Sequence, residues 1–91
     1  MHIIAFDTTY EIEHTITSLG HPEWIVVWSQ DEQLIGDARI CHYSKTVGIS
    51  TKAGSFVFPY SDYNQLKELH GVGDATKEMA RRIVELTLLA T

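Results

Sequence analysis

The stretch DYNQLKELHGVGDATKEMARRIVELTLLAT, residues 62–91, organises the rest of the fold. Its apolar residues follow one another at spacings of 3, 4, 4 and 3, which predicts a helix with a continuous apolar stripe. These residues are Val72, Ala75, Met79, Ile83 and Leu86. Two glycines in Gly71-Val72-Gly73 predict a hinge between this helix and a shorter one that precedes it. We therefore expect two C-terminal helices that cover a sheet built from the upstream residues.

Residues 9–19 have two readings. The positions of Tyr10, Ile12, His14 and Ile16 alternate as in a strand, whereas Ile12, Ile16 and Leu19 also fall at helical spacing. The sequence from Thr8 to Glu11 has the form of a capping box, and Gly20 followed by Pro22 is typical of a helix end. These boundaries favour a helix over residues 9–19.

Five other segments predict strands. Residues 2–7 form an apolar run, and the segment EWIVVWS at residues 23–29 indicates a strand covered on both faces. The further strands are expected at residues 34–43, with a bulge at Gly36-Asp37, and at residues 47–51 and 55–60, which form a hairpin.

The resulting fold class is α+β, a single domain over residues 1–91 in the order β-α-β-β-β-β-α-α. A right-handed parallel crossover followed by an antiparallel meander gives a mixed four- to five-stranded sheet. Helices are expected to cover one face of this sheet.

Composition limits the classes of protein to which this chain can belong. The chain has 91 residues and a net charge of −5, and it has no apolar run of about 20 residues, the length that spans a bilayer. The lone Cys41 and the absence of a secretory signal favour a reducing, cytoplasmic setting. The five histidines lack the spacing of a zinc site, so we expect neither a metal nor a cofactor.

Acidic residues are concentrated in the first part of the chain. Residues 1–38 contain no Lys or Arg, whereas residues 39–91 are mildly basic. This division predicts an acidic face that binds a basic surface on another protein, although a purely solvated surface would give the same pattern. The residues assigned to the acidic face are Glu11, Glu13, Glu23, Asp31, Glu32 and Asp37.

The last helix carries more apolar residues than one stripe requires. Val84, Leu88 and Leu89 lie beside the stripe, and a helix on a sheet buries one stripe. These three residues either complete the core or contact another chain. We predict that they form a two-fold homodimer interface.

The segment from residue 65 to residue 84 resembles the helix-hairpin-helix module of DNA-repair and recombination proteins. The resemblance implies that the Gly71-Val72-Gly73 turn would present backbone amides to a phosphate. Lys77 and Arg81 would then contact nucleic acid, with Gly71 and Gly73 shaping the turn. A plain hairpin of two packed helices is the alternative reading of the same turn.

The sequence contains no catalytic signature, and it predicts a small acidic binding protein of the inhibitor or adaptor type. A nucleic-acid-binding domain that uses the glycine turn is one alternative. The other is an oligomer that binds a small molecule in a pocket at its interface, with aromatic residues as walls.

Overall fold

The architecture is a six-stranded antiparallel sheet with one long helix against one of its faces. The computed structural model describes residues 1–16 and 23–89. The strands lie side by side in chain order, and every neighbouring pair is antiparallel. They are β1 (His2–Ala5), β2 (Thr8–Thr15), β3 (Glu23–Ser29), β4 (Leu34–Cys41), β5 (Thr46–Thr51) and β6 (Gly54–Phe58), and the helix α1 spans Tyr60–Leu89.

The predicted fold class is wrong in strand number, strand direction and number of helices. Most of the predicted helix at residues 9–19 is strand β2, which pairs antiparallel with both β1 and β3. The mixed four- to five-stranded sheet with a parallel crossover is therefore replaced by a six-stranded antiparallel meander. The predicted helix stop at residues 20–22 lies outside the described residues.

The turn between β1 and β2 explains this correction. Phe6 and Asp7 have φ angles of 53° and 62°, and a two-residue turn with positive φ at both positions matches the twist of a hairpin. The Thr8 hydroxyl donates to the carbonyl of Phe6 at 3.4 Å instead of capping a helix. Once this hairpin forms, the period-two alternation buries Ile12 and exposes Glu11.

Helix α1 turns back on itself at Gly71, within the hinge that the sequence predicted. Gly71 has φ 82° and ψ 168°, a conformation that only glycine adopts readily. Residues 62–69 and 78–85 line the same groove, so the segment before Gly71 (residues 60–70) lies beside the segment after it (residues 72–89). The backbone at Gly71 is not helical, so α1 consists of two helical segments that meet at this kink.

The core lies between α1 and the face of the sheet below it. Met79, Ile83 and Val84 of the second segment are buried against alternate residues of the central strands, such as Ile25 and Ile40. No helix in the described ranges is long and apolar enough to cross a membrane.

Candidate functional site

Helix α1 leaves the second face of the sheet uncovered. Along β3, Ile25 and Val27 are buried under α1, whereas Trp24 is 42 % exposed on the opposite side. The segment EWIVVWS is therefore covered on one face and not on both. Trp28 faces Glu11 across the β2–β3 ladder, which places both residues on the open face.

An acidic groove of about 530 Å³ lies where the open face meets the β3–β4 turn. Its charged lining residues are Glu11 and Glu13 of β2 and Glu32 of the turn. Trp28 of β3, which faces Glu11 across the ladder, also lines the groove. The other lining residues are Ile12, Ser29 and Gln30.

Two local features place these carboxylates together. Glu11 and Glu13 are two positions apart on one strand, so both side chains point to the open face. Glu32 has φ 62°, a left-handed turn conformation at the end of the β3–β4 hairpin, which lies beside that face. The groove therefore combines three residues of the predicted acidic face beside the β3–β4 turn.

The other predicted acidic-face residues lie elsewhere. Asp31 is exposed in the same turn but does not line the groove. Asp37 accepts a hydrogen bond from the indole Nε1 of Trp24 at 2.8 Å and lies 3.8 Å from Nε of Arg39, whose guanidinium stacks over the Trp24 ring. Its charge is compensated within the chain.

Glu23 is not part of an acidic face, because it is 2 % exposed and lies under α1. Its Oε1 accepts hydrogen bonds from Nε2 of His14 at 2.8 Å and from the hydroxyl of Tyr63 at 2.7 Å. Its Oε2 accepts from Nε2 of His42 at 2.6 Å and lies 3.7 Å from Nζ of Lys67. We call these five residues the Glu23 cluster.

Further polar contacts extend the Glu23 cluster into both segments of α1. Nδ1 of His42 and the hydroxyl of Tyr60 are 2.7 Å apart, and Nδ1 of His14 lies 3.2 Å from the hydroxyl of Thr76. Thr76 also donates to the carbonyl of Val72 at 2.8 Å. Strands β2 and β3 and the turn after β4 are thus joined through one carboxylate to residues on either side of the hinge.

The surroundings of Glu23 shift the pKa of two groups in opposite directions. Burial favours the neutral acid, but the hydrogen bonds from Tyr63, His42 and His14 and the charge of Lys67 outweigh it and lower the pKa of Glu23. Burial and the adjacent carboxylate raise the pKa of Tyr63. Glu23 is therefore held as a carboxylate and Tyr63 as a neutral donor.

The Glu23 cluster was missed by sequence reasoning, although β3 carries a signal for it. Glu23 occupies the same face as Ile25 and Val27, so a charged residue stands where the alternation requires a buried one. Such a residue needs donors from other elements, and the histidines supply two of them. In the described part of the chain no group of three His, Cys, Asp or Glu residues is arranged to hold a metal ion.

The structure buries one residue of the predicted dimer interface and exposes the other two. Val84 is 1 % exposed and belongs to the chain's own core, which removes it from any surface. Leu88 is 42 % and Leu89 is 75 % exposed near the end of α1. The predicted homodimer contact is therefore reduced to Leu88 and Leu89.

The glycine turn lies at the surface. Gly71 and Gly73 are exposed, and Lys77 and Arg81 follow on the second segment of α1. Lys77 and Arg81 share a groove with two acidic residues, Asp74 and Glu78. An anion bound there would meet both signs of charge.

Comparison with known proteins provides no relative: no protein family, no curated protein and no solved structure matches this chain.

Proposed function

We propose that this protein is a binding module whose acidic groove takes a basic segment of another protein. The observation that carries the proposal is that every charged residue lining the groove is acidic, namely Glu11, Glu13 and Glu32. Trp28 adds an aromatic wall beside these carboxylates, which suits the aliphatic stems and charged heads of Lys and Arg. The predicted role of inhibitor or adaptor is consistent with this surface.

Electrostatic complementarity at such a groove affects the rate of encounter and the choice of partner. Glu11 and Glu13 are exposed, so their attraction for a basic segment is screened by salt. Binding is therefore expected to weaken as ionic strength rises.

Charge reversal tests the proposal. Glu13→Lys changes the acidic groove, and Glu68→Lys makes the same change of charge at an exposed position on α1 outside it. Each protein is immobilised, binding partners are captured from cells of the source organism at low salt, and basic proteins are identified by mass spectrometry. A partner of the groove is retained by the parent and by Glu68→Lys and is depleted about tenfold or more by Glu13→Lys.

Equal capture by both variants would assign the binding to net charge and contradict the proposal. Direct titration of a captured partner against the three proteins then gives the dissociation constants. The difference in dissociation constant between Glu13→Lys and the parent should decrease at high salt, because the parent also binds weakly there.

Three other hypotheses from the sequence stay predictions. A homodimer through Leu88 and Leu89 is one of them. A nucleic-acid-binding turn predicts retention on DNA at low salt that is weakened by Lys77→Ala and Arg81→Ala. A small-molecule oligomer predicts a ligand that raises the melting temperature by mass action.

A further inference from the structure

Strand β1 presents an unpaired edge of the sheet. It pairs with β2 alone, and a two-residue turn joins the two strands, so the pair that flanks the turn, Ala5 and Thr8, is hydrogen-bonded. Hydrogen-bonded and non-hydrogen-bonded pairs alternate from there, and the bond from the N–H of Ile12 to the carbonyl of Met1 at 2.8 Å fits this alternation. The N–H and C=O groups of His2 and Ile4 therefore point away from β2.

A groove of about 530 Å³, which we call the β1 groove, lies along this edge. One wall is β1 itself, with His2, Ile3 and Ile4. The other wall is α1 on both sides of its hinge, and it includes Leu66 and Lys77. The outward-pointing backbone groups of β1 thus open into a space that α1 bounds on its other side.

We propose that the β1 groove binds an extended segment of another protein, which adds to the sheet as a seventh strand next to β1. Such a segment forms main-chain hydrogen bonds with His2 and Ile4, and its alternate side chains point toward α1 and toward the open face. Ile3 and Leu66 provide apolar contacts for the side chains that face α1. Ile4, which is 65 % exposed, does so on the open face.

The edge is short, but it lacks the charged residues, proline and bulges that usually prevent strand addition. The sequence HIIA of β1 has no Lys, Glu or Pro, and its pairing with β2 is regular. The charges on the α1 wall are balanced, with Lys77 and Arg81 against Asp74 and Glu78. The groove therefore selects an extended, alternately apolar segment and not a strongly charged one.

A second copy of this chain fits the β1 groove less well than an isolated segment. Two-fold pairing of β1 with β1 of another copy keeps both α1 helices on the same side of the joined sheet. A second set of the same helix side chains, including Leu66 and Lys77, would then enter the groove. A single strand that has no helix of its own avoids this conflict.

The proposal is tested with a phage-displayed library of random heptapeptides, selected against the whole chain. The affinity of the best peptide is measured by calorimetry, and its site is mapped by amide chemical shifts. We expect the largest shifts at His2 and Ile4, and slower hydrogen exchange of the Ile4 amide in the complex. Two peptides are compared, one N-methylated at its odd-numbered residues and one at its even-numbered residues. One of the two should bind about tenfold or more weakly than the unmodified peptide, because methylation removes the main-chain donors that face β1.

Substitution of Ile4 separates backbone pairing from side-chain contact. Ile4→Pro removes an N–H that points away from β2, so the β1–β2 ladder keeps its bonds and the fold is retained, while peptide binding falls about tenfold or more. Ile4→Thr keeps the N–H and the branched shape and should bind within about threefold of the parent.

Several outcomes would overturn the proposal. These are failure to select any peptide, shifts that map to Glu11 and Glu13 of the acidic groove, equal binding by both Ile4 variants, and insensitivity to N-methylation in both registers. Concentration-dependent dimerisation that Ile4→Pro abolishes would identify a second copy as the occupant instead.

Discussion

Gly36 is the position at which one added methyl group should affect stability most clearly. A Cβ atom at Gly36 would lie 2.7 Å from Cγ2 of Ile83 and 2.7 Å from the carbonyl oxygen of Ser50. The Ile83 side chain is fully buried and has little room to move, and the Ser50 carbonyl belongs to the backbone of β5. Both contacts are shorter than unbonded atoms tolerate, so Gly36→Ala requires α1 or the β4–β5 ladder to shift.

Overpacking of this kind costs about 1–3 kcal/mol of the free energy of unfolding. For about 2 kcal/mol, a chain of this length should melt roughly 8–16 °C lower. Gly48→Ala is the matched control, because a Cβ atom at Gly48 in β5 has no neighbour within 4 Å. That change should leave stability unaltered or raise it by about 0.5–1 kcal/mol, since alanine loses less backbone entropy than glycine on folding.

The assay is equilibrium urea unfolding of the parent and the two variants, followed by circular dichroism, with thermal melts as a second measurement. The reasoning would be refuted if Gly36→Ala unfolds within about 0.5 kcal/mol of Gly48→Ala. In that case Ile83 does not approach the sheet as closely as the structure shows, and α1 is not held against β4 at this point.

Three further predictions concern the hinge, the buried carboxylate and the end of α1. Gly71→Ala should destabilise the fold by about 1–3 kcal/mol in urea unfolding because of the positive φ at Gly71, whereas Gly73→Ala, at a helical position with no neighbour to meet, should be neutral or stabilising. Glu23 has a lowered pKa in the folded state, so its contribution is present above the ordinary pKa of glutamate and is lost as pH falls through the folded-state value. The parent should therefore lose stability below about pH 4.5, and Glu23→Gln should be less stable at pH 7 and lose less between pH 5 and pH 3. If the predicted homodimer forms, Leu89→Glu should halve the mass measured by light scattering without lowering the melting temperature, because Leu89 is 75 % exposed; an unchanged mass would contradict this interface.

The features that the sequence predicted correctly are those that a few neighbouring residues determine. The hinge at Gly71 was predicted because two glycines stand at the start of the apolar stripe, and a single positive φ produces the turn. The β5–β6 hairpin was predicted for a similar reason, since Gly54 ends its turn with φ 130°. Neither feature depends on residues distant in the chain.

The strand β2 could not be assigned on local grounds, because its helical and extended patterns competed. The decision depends on Phe6 and Asp7, which form a left-handed two-residue turn although neither is glycine. With that turn, Glu11 and Glu13 point to the open face and Ile12 points to the core. The acidic groove follows from this register, so an error in the strand conceals how the predicted acidic residues come together.

The Glu23 cluster sets the position of α1 in a way that apolar packing does not. Burial of Met79 and Ile83 is non-directional, so apart from the close fit of Ile83 over Gly36 it does little to fix where α1 lies along the sheet. Hydrogen bonds are directional, and the Glu23 carboxylate accepts one from Tyr63 before the hinge, while His14 connects it to the second segment of α1. A slide of one helical turn would take Tyr63 and Lys67 away from the buried carboxylate and leave it with the two histidines alone, which is costly in a core.

Because α1 is held in this way, the β1 groove has a fixed second wall. Leu66 lies one turn after Tyr63 and one residue before Lys67, and both of those neighbours are bound to Glu23. Movement of Leu66 relative to Ile3 would therefore require the buried carboxylate to lose its two partners on α1. A fixed wall lowers the entropy cost of ordering the site when a segment binds. In this way Glu23, which does not contact β1, supports binding in the β1 groove.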